Sequence, residues 1–213
     1  MVCPLALVNS RYIPIGIIES MDGASVDNRS HLLDCALQLF VSYGYDGTGV
    51  QQIVEAARLT KPTLYHYFGS KQGVLEALLH ERLEDLPRDL RRAAVYEHDL
   101  SRALSQCAAV AFAFAREHPD LYRLQLSLWF APVHSVAYKT VVRFHERQFK
   151  VIERLFFQAA HDHGNMRGRH RTYAATFLGS LNNYVALALN GYTELGESLV
   201  QQAVHQFMHG IFS

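Results

Sequence analysis

The stretch GYDGTGVQQIVEAARLTKPTLYHYFGSK, Gly44 to Lys71, decides how this chain folds. It reads as two short helices joined by a tight turn, with a third helix starting at its end. Thr48 is placed to cap the first helix, since a threonine hydroxyl accepts from the free amides of an opening turn. Val50, Ile53, Val54, Ala56 and Ala57 supply an apolar face at helical spacing. Arg58 and Leu59 make the turn. Thr60 is a second N-cap, and Pro62 suits a first turn, where its missing N–H costs nothing. Leu64 and Phe68, four apart, anchor the second helix to a core. Gly69 ends it, and Ser70 caps the next.

The second helix is too short to stand alone, so its neighbours must hold it. Lys61, Thr63, Tyr65, His66 and Tyr67 occupy its remaining surface. These are donors, hydroxyls and aromatic edges, which suit phosphates and base edges. Residues 58–71 carry Arg58, Lys61 and Lys71 and no carboxylate. Composition alone leaves two readings open: a nucleic-acid surface, or an ordinary helical hairpin whose aromatics are core.

The stretch resembles the DNA-binding helix-turn-helix of the tetracycline-repressor (TetR) family. The matching residues are Gly44-Tyr45, Thr48, Val50, Ile53, Ala57, Thr63-Leu64-Tyr65, Tyr67-Phe68 and Ser70-Lys71. The resemblance is close over about residues 29–80; beyond them it rests on length and helical pattern. Family members often carry glycine where Arg58 and Pro62 stand, and a small hydroxyl residue where Gly49 stands. The resemblance implies that Lys61, Tyr65 and His66 meet bases, with Thr63 on the same surface. It assigns Thr48, Tyr67 and Lys71 to phosphates, Lys71 through its charge near the start of the third helix.

Composition bounds the rest. The chain has 213 residues, 49% of them apolar, so a sizeable core is within reach. Twenty basic and twenty acidic residues balance, which argues against a protein that coats nucleic acid broadly. Residues 22–86 hold five cations against nine carboxylates, so the basic signal is confined to the recognition stretch. The expected phosphate footprint is small, and affinity should need two copies acting together. Cys3, Cys35 and Cys107 are far apart, and they read as reduced thiols of a cytoplasmic protein.

Residues 1–20 are apolar but broken by Pro4 and Pro14. They make a poor signal peptide, are too short and interrupted to span a membrane, and read as part of a disordered arm over 1–26. A first helix is expected over 28–43, stopped by Gly44. A helix from Ser70 carries Val74, Leu75, Leu78, Leu79, Leu83 and Leu86 on one face, and Pro87 should bend or end it. Further helices are expected over about 100–118, 119–130, 135–161, 171–190 and 197–212, with a loop at GNMRGRHR from Gly164. The domain reading is a helix-turn-helix unit over 27–72 and a ligand-sensing and dimerisation unit over 73–213.

Other chemistry finds little support. His205 and His209 share a helix face, but no carboxylate or cysteine joins them at ligand spacing, so no metal is expected. There is no GxSxG, no HExxH and no phosphate-cradling glycine loop. An enzyme reading has no residues to put forward, and no cofactor is implied.

Residues 100–190 are rich in large apolar and aromatic side chains, most of them core. Such a bundle can still leave an apolar cavity with a few polar groups on its wall. Candidate lining residues are Phe112, Trp129, Phe130, His145, Gln148 and Asn183. The last two helices are apolar over a wide arc, which suits a two-fold interface. Phe177, Leu181, Tyr184, Val204, Phe207, Met208 and Ile211 are its candidates.

The expected fold is all-α: an N-terminal three-helix helix-turn-helix unit fused to a larger C-terminal helical bundle that dimerises. The expected function is DNA-binding transcriptional regulation, as a repressor released from a double-stranded operator by a small-molecule inducer. The partners are DNA, that inducer and a second copy, with no membrane. The alternative is a helical ligand-binding or scaffold protein without DNA binding, supported by the acidic N-terminal unit and Gly49.

Overall fold

A computed structural model describes residues 28–210, which form ten α-helices and no strand. The expected arm over 1–26 and the interface candidate Ile211 lie outside the described residues.

The N-terminal unit is α1 (Asn28–Gly47), α2 (Val50–Ala56) and α3 (Lys61–Phe68), closed by α4 (Lys71–Arg82). Its core is apolar: Leu32, Leu33, Ala36, Phe40, Ile53, Leu64, Val74 and Leu75 are all buried. Gly44, at φ 75° and ψ 162°, breaks the regular helix inside α1, as its glycine requires. Thr60 caps α3, its hydroxyl accepting from the Thr63 amide, and Ser70 caps α4 by accepting from Gly73. The expected cap at Thr48 is corrected. Gly49 is the N-cap of α2, and the Gln52 side chain accepts from its amide at 2.6 Å.

The turn between α2 and α3 closes in a Schellman pattern. The Leu59 amide donates to Val54 O at 2.8 Å and the Arg58 amide to Glu55 O at 3.1 Å. Arg58 takes the left-handed position at φ 54°.

The expected bend at Pro87 falls earlier. The chain breaks at Leu83 and Glu84, and α5 (Asp85–Ala93) starts anew with Pro87 in its first turn. A proline is tolerated there because first-turn amides have no intrahelical acceptor.

The larger bundle comprises α6 (Leu100–Glu117), α7 (Pro119–Trp129), α8 (Val136–Ala159), α9 (His170–Leu189) and α10 (Glu197–His209). Asp99 and Ser135 cap α6 and α8 through their side-chain oxygens. Helix α6 is the hub: Leu104, Cys107, Ala108 and Phe112 are fully buried, and it packs on α5, α7, α9 and α10. The two units share one apolar core, because α1 packs on α7 and α4 packs on α8. Gln38 on α1 also donates to Asp120 on α7 at 2.9 Å.

Burial corrects part of the expected dimer interface. Phe177, Leu181 and Val204 are 1%, 1% and 3% exposed within a single chain. The Phe177 and Phe207 rings meet at 5.2 Å, and Phe156 joins both. Tyr184 donates to Gln206 across α9 and α10. A wide apolar arc on each helix is used up by the chain's own aromatic cluster. Among the described residues of the set Met208 on α10 is exposed, and Leu187 on α9 is exposed as well.

Candidate nucleic-acid interface and sensor bundle

Helix α3 buries Leu64 completely and presents most of the rest. Lys61, Tyr65, His66 and Tyr67 are exposed, with Tyr65 at 48%. The His66 and Tyr67 rings meet edge to face at 5.4 Å, and Tyr67 leans on Phe68. These contacts pre-order the polar tips of the aromatics. Thr63 is half-buried, and its hydroxyl shares a 2.9 Å hydrogen bond with the Thr60 hydroxyl. Arg58 stands exposed in the preceding turn.

Two residues expected at phosphates are turned inward. Thr48 is 1% exposed, and its hydroxyl donates to Gly44 O at 2.8 Å and Leu39 O at 3.2 Å. Lys71 donates to Tyr45 O and Thr48 O, both at 2.9 Å, and its ammonium lies 4.2 Å from the Tyr45 ring centroid. Both expectations are corrected on this geometry: each side chain holds the α1–α2 turn, leaving Thr48 with no exposed hydroxyl for a phosphate. Acidic residues elsewhere on the unit are also engaged. Arg29 pairs with Glu81 and Arg82 with Asp34, stapling α4 to α1.

In the bundle, the six expected lining residues separate. Phe112 is core, edge-on to Tyr184 at 6.4 Å. Phe130 is 81% exposed at the end of α7, so it lines no cavity in this arrangement. Asn183 lies on a groove of about 440 Å³ between α9 and α10. Trp129, His145 and Gln148 remain together: the Trp129 and His145 rings are 4.3 Å apart, and Gln148 lies one turn on from His145.

Gln125 joins this group and was missed in the sequence. It is fully buried on α7, and neither its amide nitrogen nor its oxygen has a hydrogen-bond partner. His145 Nε2 and Gln148 Nε2 are likewise buried without partners. The signal was present, since Gln125 occupies the buried stripe with Leu121, Leu124 and Leu128, where an apolar residue is expected. Burial pushes the His145 imidazole down to about 4, against a hydrogen bond with the Gln125 backbone that acts the other way. The histidine is therefore neutral at pH 7 and presents a neutral donor or acceptor.

No group of three or more side chains that could hold a metal occurs among the described residues, and none of their helices is long and apolar enough to cross a membrane. The Cys107 thiol is buried and pushed up to about 12, and Cys35 is also raised, by burial and then by Asp34. Neither has the lowered pKa of a reactive cysteine.

Residues 32–78 match the family of bacterial regulatory proteins, tetR family. Over this stretch the chain is similar to the tetracycline-repressor family. It is 31% identical over 98 residues to the HTH-type transcriptional activator FasR of Mycolicibacterium smegmatis, covering 46% of this chain and 45% of that protein. It is 26% identical over 121 residues to the HTH-type transcriptional regulator BetI of Burkholderia mallei, covering 56% of this chain and 62% of that one. The chain thus spans less than two thirds of the length of these curated relatives.

Two solved structures share the fold. PfmR of Thermus thermophilus superposes with a TM-score of 0.69 at 21% identity, covering 85% of this chain and 99% of that one. FadR of Bacillus subtilis, solved in complex with stearoyl-CoA, superposes with a TM-score of 0.71 at 16% identity, covering 85% and 98%. Against the family pattern, Arg58 holds a left-handed position that glycine fills without strain. Gly49 keeps the N-cap but supplies no hydroxyl, and the Gln52 side chain accepts from the Gly49 amide.

Proposed function

We propose that this chain is a DNA-binding transcriptional repressor, acting as a cytoplasmic homodimer and released from its operator by a small-molecule ligand. One observation carries the reading. Helix α3 is anchored by Leu64, with Phe68 partly buried against the core, and turns Lys61, Tyr65, His66 and Tyr67 outward, on a unit whose other basic residues are largely engaged in its own packing. Lys61, Tyr65 and His66 are assigned to base edges in the major groove, with Tyr67, Thr63 and Arg58 near the backbone. The phosphate footprint of one copy is small, which is why a second copy is part of the proposal. The exposed positions of α9 and α10, Met208 and Leu187 among them, are the surface assigned to it. Residues 27–72 bind DNA in this reading and 73–213 sense and dimerise.

The ligand is assigned to the α7–α8 interface at Gln125, Trp129, His145 and Gln148. Four buried polar atoms without partners are costly to keep, about 1–3 kcal/mol each, unless another function retains them. All three groups are uncharged, so they suit a neutral polar moiety. FadR of Bacillus subtilis supports the reading only in that a protein of the same fold holds a small molecule.

The test is a footprint of the purified protein on DNA flanking its own gene, followed by titration of the footprinted duplex. Lys61→Ala and Tyr65→Ala should each weaken specific binding by about 1–3 kcal/mol. A parent protein that binds no duplex at low salt sinks this reading in favour of a ligand-binding or scaffold protein without DNA binding.

A further inference from the structure

The chain carries a second concave surface, between α5 and α8. Arg147, Lys150 and Arg154 follow at intervals of three and four on α8, which puts them on one face. Arg91, near the end of α5, faces the same groove of about 480 Å³. Ala94, Val95 and Val151 give it an apolar wall, and Tyr96 and Gln158 complete the lining. No carboxylate lines it. Glu84 reaches Arg147 from outside, at 2.8 Å. Arg91, Lys150 and Arg154 take part in no ion pair among the described residues. In a chain whose net charge is zero, four cations lining one groove is a concentration that packing does not require.

The groove meets the surface beside α3 at Arg147, which lines both, and runs away from it along α8. Lys139 and Arg143 of α8 lie beside Tyr67 and Gln72 near the DNA-facing unit. Arg154 is eleven residues beyond Arg143, about 16 Å further along the helix axis. Guanidinium groups bind phosphate oxygens in pairs, and a lysine adds a point charge.

We infer that the α5–α8 groove is a binding site for a phosphorylated small molecule, one with a pyrophosphate or several phosphate groups and an apolar portion to lie on Ala94, Val95 and Val151. It would bridge α5 to α8. The inference does not rest on DNA binding.

The test is calorimetric titration of the full chain with inorganic pyrophosphate at an ionic strength of about 0.15 M, where exposed charges are largely screened beyond 8–10 Å. One saturable site per chain is expected. Lys150→Glu and Arg154→Glu should each weaken it about tenfold or more, while Lys61→Ala leaves it unchanged. Both reversed residues are exposed, and a thermal melt confirms that each variant folds; Arg154→Gln serves in place of either one that does not. Absence of saturable binding below about 1 mM overturns the inference. So does equal affinity in parent and reversed variants, or loss of affinity in Lys61→Ala, which would place the anion on the recognition helix. A parent that binds pyrophosphate but no operator would sink the regulator reading and leave this one standing.

Discussion

Lys71 Nζ donates to the Thr48 carbonyl at 2.9 Å, joining the first residue of α4 to the turn before α2. A second bond to Tyr45 O and the Tyr45 ring take up more of the ammonium. Hydrogen bonds from charged donors are worth about 1.5–3 kcal/mol, so this lysine fixes the turn that positions α2 and α3. Lys71→Met should therefore lower stability by about 1–3 kcal/mol while leaving the salt dependence of operator binding close to the parent's. Denaturant melts beside a salt titration decide. A flattened salt slope with unchanged stability would return Lys71 to the phosphate role.

Arg58 is the non-glycine residue that closes the helix-turn-helix, at φ 54°. The left-handed region costs an L-residue about 1–2 kcal/mol, and glycine avoids that cost but loses more chain entropy on folding. Arg58→Gly should gain about 0.5–1 kcal/mol net. The same change removes an exposed cation next to α3, so operator affinity should fall modestly. Urea unfolding with a midpoint below the parent's would show that the turn carries no strain.

Gly73 meets a different constraint. A Cβ built there would lie 1.9 Å from the Phe68 carbonyl oxygen, a backbone atom. That carbonyl also accepts from the Ser70 amide at 2.8 Å, in the junction between α3 and α4. Gly73→Ala should force the two helices apart, at a cost of about 1–3 kcal/mol or more. Its melting temperature and its operator affinity should drop together. A stable variant with normal DNA binding would mean that the junction yields without consequence.

The fold was legible because its punctuation is local. Gly44, Thr60, Pro62, Gly69 and Ser70 mark boundaries by their own backbone chemistry, and the apolar spacing of α2 and α4 needs no partner to be read. Exposure was legible where it follows from spacing, as at Lys61, Tyr65 and His66. It was not legible where a side chain turns back on its own backbone. Nothing in the order of residues says that the Thr48 hydroxyl meets Leu39 O and Gly44 O rather than solvent. Nor does the width of an apolar arc say who covers it: Phe177 and Leu181 look like an interface until Phe156 and Phe207 are seen against Phe177. The expected bend at Pro87 failed for a related reason. Proline excludes a helix interior, but it does not say whether the helix ends there or a new one has just begun.

Gln125 offers a test of why its cluster persists. Replacing a buried amide that has no partner with a hydrocarbon of similar size removes its desolvation cost. Gln125→Leu should stabilise the chain by about 1–3 kcal/mol and, in the proposed reading, blunt release of DNA by ligand. A destabilised variant would show that the amide has partners in solution.

His145 supplies a pH test on the same cluster. Its folded value of about 4 lies below the ordinary 6.5, because burial disfavours the charged ring. Between those values the unfolded chain binds a proton that the folded chain does not. The number of protons bound is then greater in the unfolded state, so stability rises with pH through this window and falls as pH drops from about 6.5 to about 4. The shift corresponds to about 3 kcal/mol at full development. His145→Gln, which cannot titrate, should flatten that part of the profile while the remaining acid dependence from carboxylates stays. The measurement is unfolding free energy by urea at half-unit steps from pH 7.5 to pH 4, parent beside variant. Parallel profiles would mean that the imidazole titrates alike in both states, and that the ring is less enclosed in solution than its contact with Trp129 implies.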